Sequence, residues 1–404
     1  MNYFVFVVCG AKEHIETLNF SLKFIRHFSN YPVLVVTDKK RNEIPVEHDQ
    51  IIDIVTPAEY DHHQASIYLK TGLHKFLNMK DGSLYCYLDS DIVAINSEIN
   101  TIFDYFRPPV IFAKDHCPFN EFSPHAMQCA CLADTLRRNK EYSAVDEFFQ
   151  QNFFIKIQEN NTDKIKLDQQ FELLKEKNIK HIFPALVYFI KRHLLPLKQI
   201  KLGEFYFNKR DGFWYNSSHE IIHFDWSYAV KRMEKNGVYY NKKNKIWKNS
   251  LGEDIMPQVP HCRHLGEYIA EKYKIKIPDN WRHWNGGVFL FNAAGVKFMN
   301  YWHEITLKEF ENPATKTRDQ GTLAVTAWVY NLQETVTLPE KFNFITEYDN
   351  PGIMYTAEKG FTQDGYKTTF LPCFLHIYHQ WGRTGWSIWD YVSALEKTIL
   401  KLKN

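Results

Sequence analysis

The first hundred residues switch repeatedly between two hydrophobic periods. Tyr3–Cys9 is an almost unbroken apolar run and predicts a strand buried on both faces, while Lys12–Phe28 repeats apolar residues at helical spacing through Leu18, Leu22, Phe24 and Ile25. Val33–Val36 returns to a strand, closed by Thr37-Asp38. Ile51–Val55 predicts a third short strand, and Ser66–Leu77 a helix carried by Leu69, Leu73, Phe76 and Leu77. Leu84–Leu88 then predicts a strand after the Asp81-Gly82 turn. Strands alternating with helices predict an α/β fold with a mainly parallel sheet, and such a sheet binds ligands beyond the carboxyl ends of its strands.

The pattern loosens from about Pro118 to Asn280, which predicts a large α+β insertion. Glu141–Phe149 and Leu167–Lys177 have helical spacing, Ala185–Lys191 is an apolar strand or helix, and Phe205–Trp247 divides into short strands at Asp211-Gly212 and Asn236-Gly237. Regular alternation resumes at Trp281 with the strand Gly287–Phe291, the helix Gly295–Leu307 and a helix near Asp319–Val329. It ends in the amphipathic tail Trp389–Lys403. The expected organisation is therefore 1–117, an insertion 118–280, and 281–404.

A chain of 404 residues, 45% hydrophobic and 24% charged, can bury a large core. Its 49 basic and 47 acidic residues nearly cancel, so no net field draws it to nucleic acid. The start Met1-Asn2-Tyr3 has no basic leader before the apolar run, and the best candidate for a membrane span, Ala185–Ile190, runs straight into Lys191-Arg192-His193; both predict a cytoplasmic protein without a transmembrane segment. Lys242, Lys243, Lys245, Lys397, Lys401 and Lys403 would allow at most weak peripheral contact with a membrane. The odd number of cysteines, seven, suits reduced thiols better than a disulfide framework. His116-Cys117, His125, Cys129, Cys131, His261-Cys262 and His264 hold nitrogen and sulfur atoms suited to zinc, but Cys-x-Cys is tighter than the usual zinc pairs. The 10 Trp, 23 Tyr and 31 Phe exceed what an ordinary core needs, and flat rings with a polar edge suit sugars as well as cores.

The strand Leu84–Leu88 ends abruptly in Asp89-Ser90-Asp91. Two carboxylates at the end of a buried strand ask for a partner, and the residues alone leave open a solvated turn and a divalent-metal site carrying phosphates. Three later blocks change the picture. Asn285-Gly286-Gly287 opens an apolar strand, Asp319-Gln320-Gly321 opens a helix, and His379-Gln380-Trp381-Gly382-Arg383 stands near the end. In that order, the four blocks resemble the retaining nucleotide-sugar glycosyltransferases of the GT-A fold, especially family eight, the glycogenin and bacterial galactosyltransferase group.

The resemblance implies a Rossmann-like mixed sheet and transfer of a sugar from a nucleotide diphosphate sugar, a UDP-sugar in that family, to a glycan or glycolipid acceptor with retention. It implies Mn2+ or Mg2+ held by Asp89, Asp91 and His379, with Asp89 also reaching the nucleotide ribose. It further implies Asn285 and Gly286 against the donor sugar, Asp319 on its hydroxyls with Gln320 beneath it, and Lys70, Gly382 and Arg383 near the diphosphate. His376 is a rival metal ligand. The family's His-x-x-Gly continues as Lys-Pro-Trp, whereas here Arg383-Thr384-Gly385-Trp386 lacks Lys-Pro and is one residue shorter. Inversion would need a carboxylate base, for which Glu347 or Asp349 is available. The rivals are a non-catalytic glycan- or nucleotide-binding protein of the same fold and a sugar-phosphate nucleotidylyltransferase. The latter needs a glycine-rich phosphate loop that Cys9-Gly10-Ala11-Lys12 does not supply.

Overall fold

Apolar runs at the start of the chain pair directly with one another. The computed structural model describes residues 1–79, 82–157, 162–175, 179–316, 319–347, 350–365 and 367–403. Asp81 and Asp349 therefore lie outside the described residues. The central sheet holds β1 (Asn2–Val7), β2 (Val33–Thr37), β3 (Ile51–Asp53), β4 (Leu84–Leu88), β5 (Val110–Lys114) and β6 (Trp284–Phe291), in the order β3-β2-β1-β4-β6-β5. The first four run parallel, and β6 runs antiparallel to both β4 and β5. The fold is thus mixed α/β with a mainly parallel sheet.

Helices α1 (Lys12–Phe28), α2 (His62–Thr71), α3 (Phe119–Ala126), α4 (His264–Tyr273), α5 (Val296–Glu309), α6 (Asp319–Val329) and α7 (Ser387–Lys403) belong to the same unit as this sheet. Alternate residues of β1 feed opposite faces, as the pleat requires. Phe4 and Phe6 pack with Leu18, Leu22 and Ile25 of α1, while Val5 and Val7 pack with Leu69 of α2 and Phe298 and Trp302 of α5. The tight turn after β1 needs Gly10, whose φ is +94° and whose missing Cβ would stand 2.3 Å from the His62 ring. Asp61 begins α2 with a capping box, accepting from the Gln64 amide while the Gln64 side chain accepts from its own.

A second, three-stranded sheet joins the residues just after β4 to the end of the chain. Ile92–Ala94 pairs antiparallel with Phe374–His376, which pairs parallel with Phe344–Ile345. Strands of two or three residues carry too little period to be read from sequence, and none of these was expected.

The chain divides into two compact units, Met1–Ala130 with His261–Asn404, and Cys131–Pro260. The inserted unit is narrower than 118–280, because α3 and α4 bury Phe119, Ala126, Leu265 and Ile269 against Ile305, Ala324 and Val325 of the first unit. The second unit has its own four-stranded antiparallel sheet, Gln199–Leu202, Phe205–Asn208, Phe213–Tyr215 and Ile221–Phe224. Its cores gather Val145, Phe149, Phe153 and Trp247 in one place and Leu167, Phe207 and Trp214 in another. Ala185–Lys191 lies in the helix Ile179–His193. Most tryptophans are structural: Trp214, Trp284 and Trp302 are fully buried, and Trp284 stacks on Phe112 at 5.0 Å. Among the described residues no helix is long and apolar enough to cross a membrane.

Candidate active site

Asp89 follows β4, and its amide donates to the Gly287 carbonyl at 2.9 Å, which ties the first carboxylate to the glycine pair of β6. The β6 strand is irregular there. Between Asn285 and Phe289 it advances four residues while its partner β5 steps only from Ala113 to Phe112. The extra residues are Gly286, Gly287 and Val288, and a bulge of this kind redirects backbone beside a site. Asn285 holds the bulge, with its Oδ1 accepting from the Gly287 amide at 2.8 Å.

Close approach rather than backbone angle demands glycine at position 287 and favours it at position 286. A Cβ on Gly287 would lie 2.6 Å from His376 Cε1, 2.8 Å from Asn285 Oδ1 and 3.0 Å from Asp89 Oδ2. On Gly286 it would meet Lys70 Nζ at 3.2 Å and Asp319 Oδ2 at 3.4 Å. The glycine pair is thus the floor on which Asp89, Lys70, Asp319 and His376 meet.

Lys70, from α2, bridges two carboxylates: its Nζ is 3.3 Å from Asp89 Oδ1 and 2.9 Å from Asp319 Oδ2, at the first residue of α6. Its side chain is 11% exposed. Burial alone would pull the ammonium down, but the Asp319 and Asp89 carboxylates outweigh it and hold Lys70 above its ordinary value. The Tyr87 hydroxyl donates to the same Asp89 Oδ1 that Lys70 faces.

Asp91 and His376 complete the group. One donor atom each from Asp89, Asp91 and His376 lies within 4.8 Å of the others. His376 is 6% exposed; its Nδ1 hydrogen-bonds Asn343 Oδ1 at 2.9 Å, which turns Nε2 toward Asp91 Oδ1 at 3.5 Å. That Oδ1 is enclosed and has no hydrogen-bond partner, although the Asp91 side chain is 26% exposed. Burial raises Asp91 above the usual carboxylate value, with His376 opposing.

The histidine brought to the aspartates is His376 rather than the expected His379. Strand register decides this: His376 pairs with Ile92, and the Ile377 amide donates to Asp91 O at 3.0 Å. His379 follows the strand end in a bend with Gln380 at positive φ, and its ring stands beside those of Tyr378 and Trp386. Gly382 (φ +79°) and Arg383 lie in the same bend, where the Arg383 amide donates to Gln380 O, and the cation set between Asp89 and Asp319 is Lys70.

A second polar network adjoins the bulge. Asp115, one residue beyond β5, accepts from Asn285 Nδ2 at 2.9 Å and from Gln320 Nε2 at 2.7 Å, and Gln320 also meets the buried His283 at 2.8 Å. His116 bridges Asp115 Oδ1 and Glu347 Oε1, each at 3.0 Å, and the Tyr378 hydroxyl donates to Glu347 at 3.1 Å. Burial would lower His116, but its hydrogen bonds to Asp115 and Glu347 raise it to about 10. Glu347 is pulled down to about 2, chiefly by His116. Asp115 was not singled out from the sequence. The available signal was close to the one that marked Asp89, a carboxylate at the end of a buried apolar run, here Val110–Ala113 with Lys114 between.

No family model matches the sequence, and no match is found among curated proteins. The chain is similar in outline to several solved glycosyltransferases. It aligns with the apo structure of the WbbM bifunctional glycosyltransferase at a TM-score of 0.40 and 12% identity, covering 98% of this chain and 51% of WbbM, so this chain spans about half of WbbM's length. With mouse xyloside xylosyltransferase 1 the TM-score is 0.37 at 9% identity, over 93% and 97% of the two chains. With the galactosyltransferase LgtC, solved with donor and acceptor sugar analogues, it is 0.38 at 10% identity, over 98% and 96%. At these scores nothing about substrate or mechanism follows for this chain.

Proposed function

We propose that this protein is a metal-dependent glycosyltransferase that moves a sugar from a nucleotide diphosphate sugar, of UDP type, to a hydroxyl of a glycan or glycolipid. The observation that carries this reading is the meeting of Asp89, Asp91 and His376 beside the Lys70–Asp319 pair at the carboxyl edge of the parallel strands, over a two-glycine floor. Two carboxylates and an imidazole suit Mn2+ or Mg2+, and the enclosed, unpartnered Asp91 Oδ1 is the kind of atom a cation satisfies. Such an ion supplies charge neutralisation for a leaving diphosphate.

The chain's own residues perform the positioning. Tyr87 and Lys70 fix Asp89, Asn343 orients His376, and Gly286 and Gly287 let a sugar or phosphate approach the backbone. Asp319, first in α6 and beside Lys70, accepts from donor hydroxyls. Gln320, held by Asp115 and His283, lies next to it at the helix start. Arg383 and Gly382, in the loop after His379, remain available to the diphosphate by resemblance alone.

Retention is favoured because the described carboxylate offered for inversion is a poor base. Glu347 is engaged by His116 and Tyr378 and lowered to about 2, so it has little tendency to take a proton at neutral pH. With retention, the leaving phosphate oxygen takes the acceptor proton on the same face.

The purified protein with Mn2+ is expected to hydrolyse at least one member of a UDP-sugar panel slowly, and Asp91→Asn to lower that rate at least about 100-fold while circular dichroism stays unchanged. Neither hydrolysis nor metal-dependent UDP binding by any panel member overturns the reading. An inverted anomer in the NMR spectrum of the transferred sugar overturns retention.

A further inference from the structure

The helix Ile179–His193 of the insertion turns its apolar side outward. Ile182, Phe183, Leu186 and Phe189 recur at the spacing of one helical face, and all four are exposed, Phe183 at 71% and Phe189 at 53%. The opposite side holds the helix to its own unit. Tyr188 meets the Phe171 ring edge-on at 6.2 Å, and Arg192 pairs with Asp225 while lying over the Tyr188 and Phe207 rings. Directly after the helix, Leu194, Leu195 and Leu197 are exposed too. Lys209 holds that turn, its Nζ donating to the Lys191 carbonyl at 3.2 Å and to the Leu195 carbonyl at 3.0 Å. Among the described residues of the insertion none buries these side chains, and apolar residues grouped so closely exceed the scattered singles of an ordinary surface.

Charge selects the occupant. From Ile182 to Gly203 the chain carries Lys191, Arg192, Lys198 and Lys201 and no Asp or Glu. Arg192 is spent on Asp225, which leaves Lys191, Lys198 and Lys201, all exposed. A second copy would set this acid-free stretch against itself, like charge to like. An anionic lipid surface instead takes the rings and leucines into its acyl boundary, while the long lysine stems carry their ammonium groups to the headgroups.

We propose that the insertion docks on an anionic bilayer through Ile182, Phe183, Leu186 and Phe189, with Lys191, Lys198 and Lys201 on the headgroups. The contact does not depend on the sugar-transfer reading, and no residue of the aspartate site takes part in it.

The full-length protein is expected to cosediment with vesicles of phosphatidylcholine and about 30% phosphatidylglycerol at least about fivefold more than with phosphatidylcholine alone. Phe183→Ser with Phe189→Ser is expected to lower the bound fraction at least about fivefold, and Lys191→Glu with Lys198→Glu to remove the preference for anionic vesicles. Lys397→Glu with Lys401→Glu, on α7, and Asp91→Asn should bind as the unaltered protein does. Hydrogen exchange of the unaltered protein gives a reading free of any substitution: the anionic vesicles are expected to slow exchange selectively across residues 182–197. Absence of cosedimentation overturns the proposal, and so does cosedimentation that the Phe183 and Phe189 changes leave intact. A dimer by light scattering that those two changes dissolve, without any vesicle binding, overturns it in favour of a second copy.

Discussion

At the scale of single residues, His116 and Glu347 are held in opposite charge states by one contact. Protonated His116, raised from 6.5 to about 10, stabilises the fold fully below pH 6.5, and that contribution is lost as pH rises toward 10. Ionised Glu347, lowered from 4.5 to about 2, contributes fully above pH 4.5 and loses its effect as pH falls toward 2. Their joint contribution is therefore greatest between pH 4.5 and 6.5. Because His116 is 37% exposed, screening reduces each limb to about 1–2 kcal/mol. Thermal melts across this range should show His116→Asn flattening the alkaline limb; an unchanged alkaline slope would remove His116 from the account. The same scale explains which histidine the sequence obscured. His376 and His379 are three positions apart and equally suited chemically, and only the pairing of His376 with Ile92 separates them.

Among the elements, the long helices were legible and the short strands only in part. The bounds Lys12–Phe28 and Asp319–Val329 emerge from helical spacing and recur unchanged in the structure. Val110–Lys114 escaped notice, as did the three short strands that place His376, although Val33–Val36 and Leu84–Leu88, runs no longer than Val110–Lys114, were read. The bulge in β6 was likewise invisible, although the resemblance had placed Asn285 and Gly286 against a donor sugar. That bulge makes a sharp distinction testable. Gly287→Ala drives a Cβ into His376, Asn285 and Asp89 together, and should weaken Mn2+ binding at least about tenfold and destabilise the fold by about 1–3 kcal/mol. Gly286→Ala meets the flexible end of Lys70 first and should cost less than half as much stability. Isothermal titration with Mn2+ and denaturant melts check both, and equal effects would show that the bulge does not shape the site.

Across the whole molecule, the insertion has its own buried clusters, while every residue of the aspartate site belongs to the first unit. Cys129 and Cys262 lie next to one another, so a short linker can close the gap left by removing the insertion. Replacing residues 133–259 with a Gly-Ser linker should therefore leave a folded protein that binds UDP with Mn2+ within about threefold of the full chain, measured by calorimetry. Loss of binding in a protein that still folds would show that the insertion is needed to build the site.

The pairing of β6 with β4 joins positions about 200 residues apart, and His376 meets Ile92 across a longer interval still. On the ribosome, β1 to β4 emerge with Asp89 and Asp91 in place but without the glycine floor or the imidazole. The first half of the sheet must wait through the synthesis of the insertion with one side of β4 unpaired, an edge open to other chains. The site is thus assembled last, and a nascent chain cannot bring Asp89, Asp91 and His376 together until the final strand has emerged.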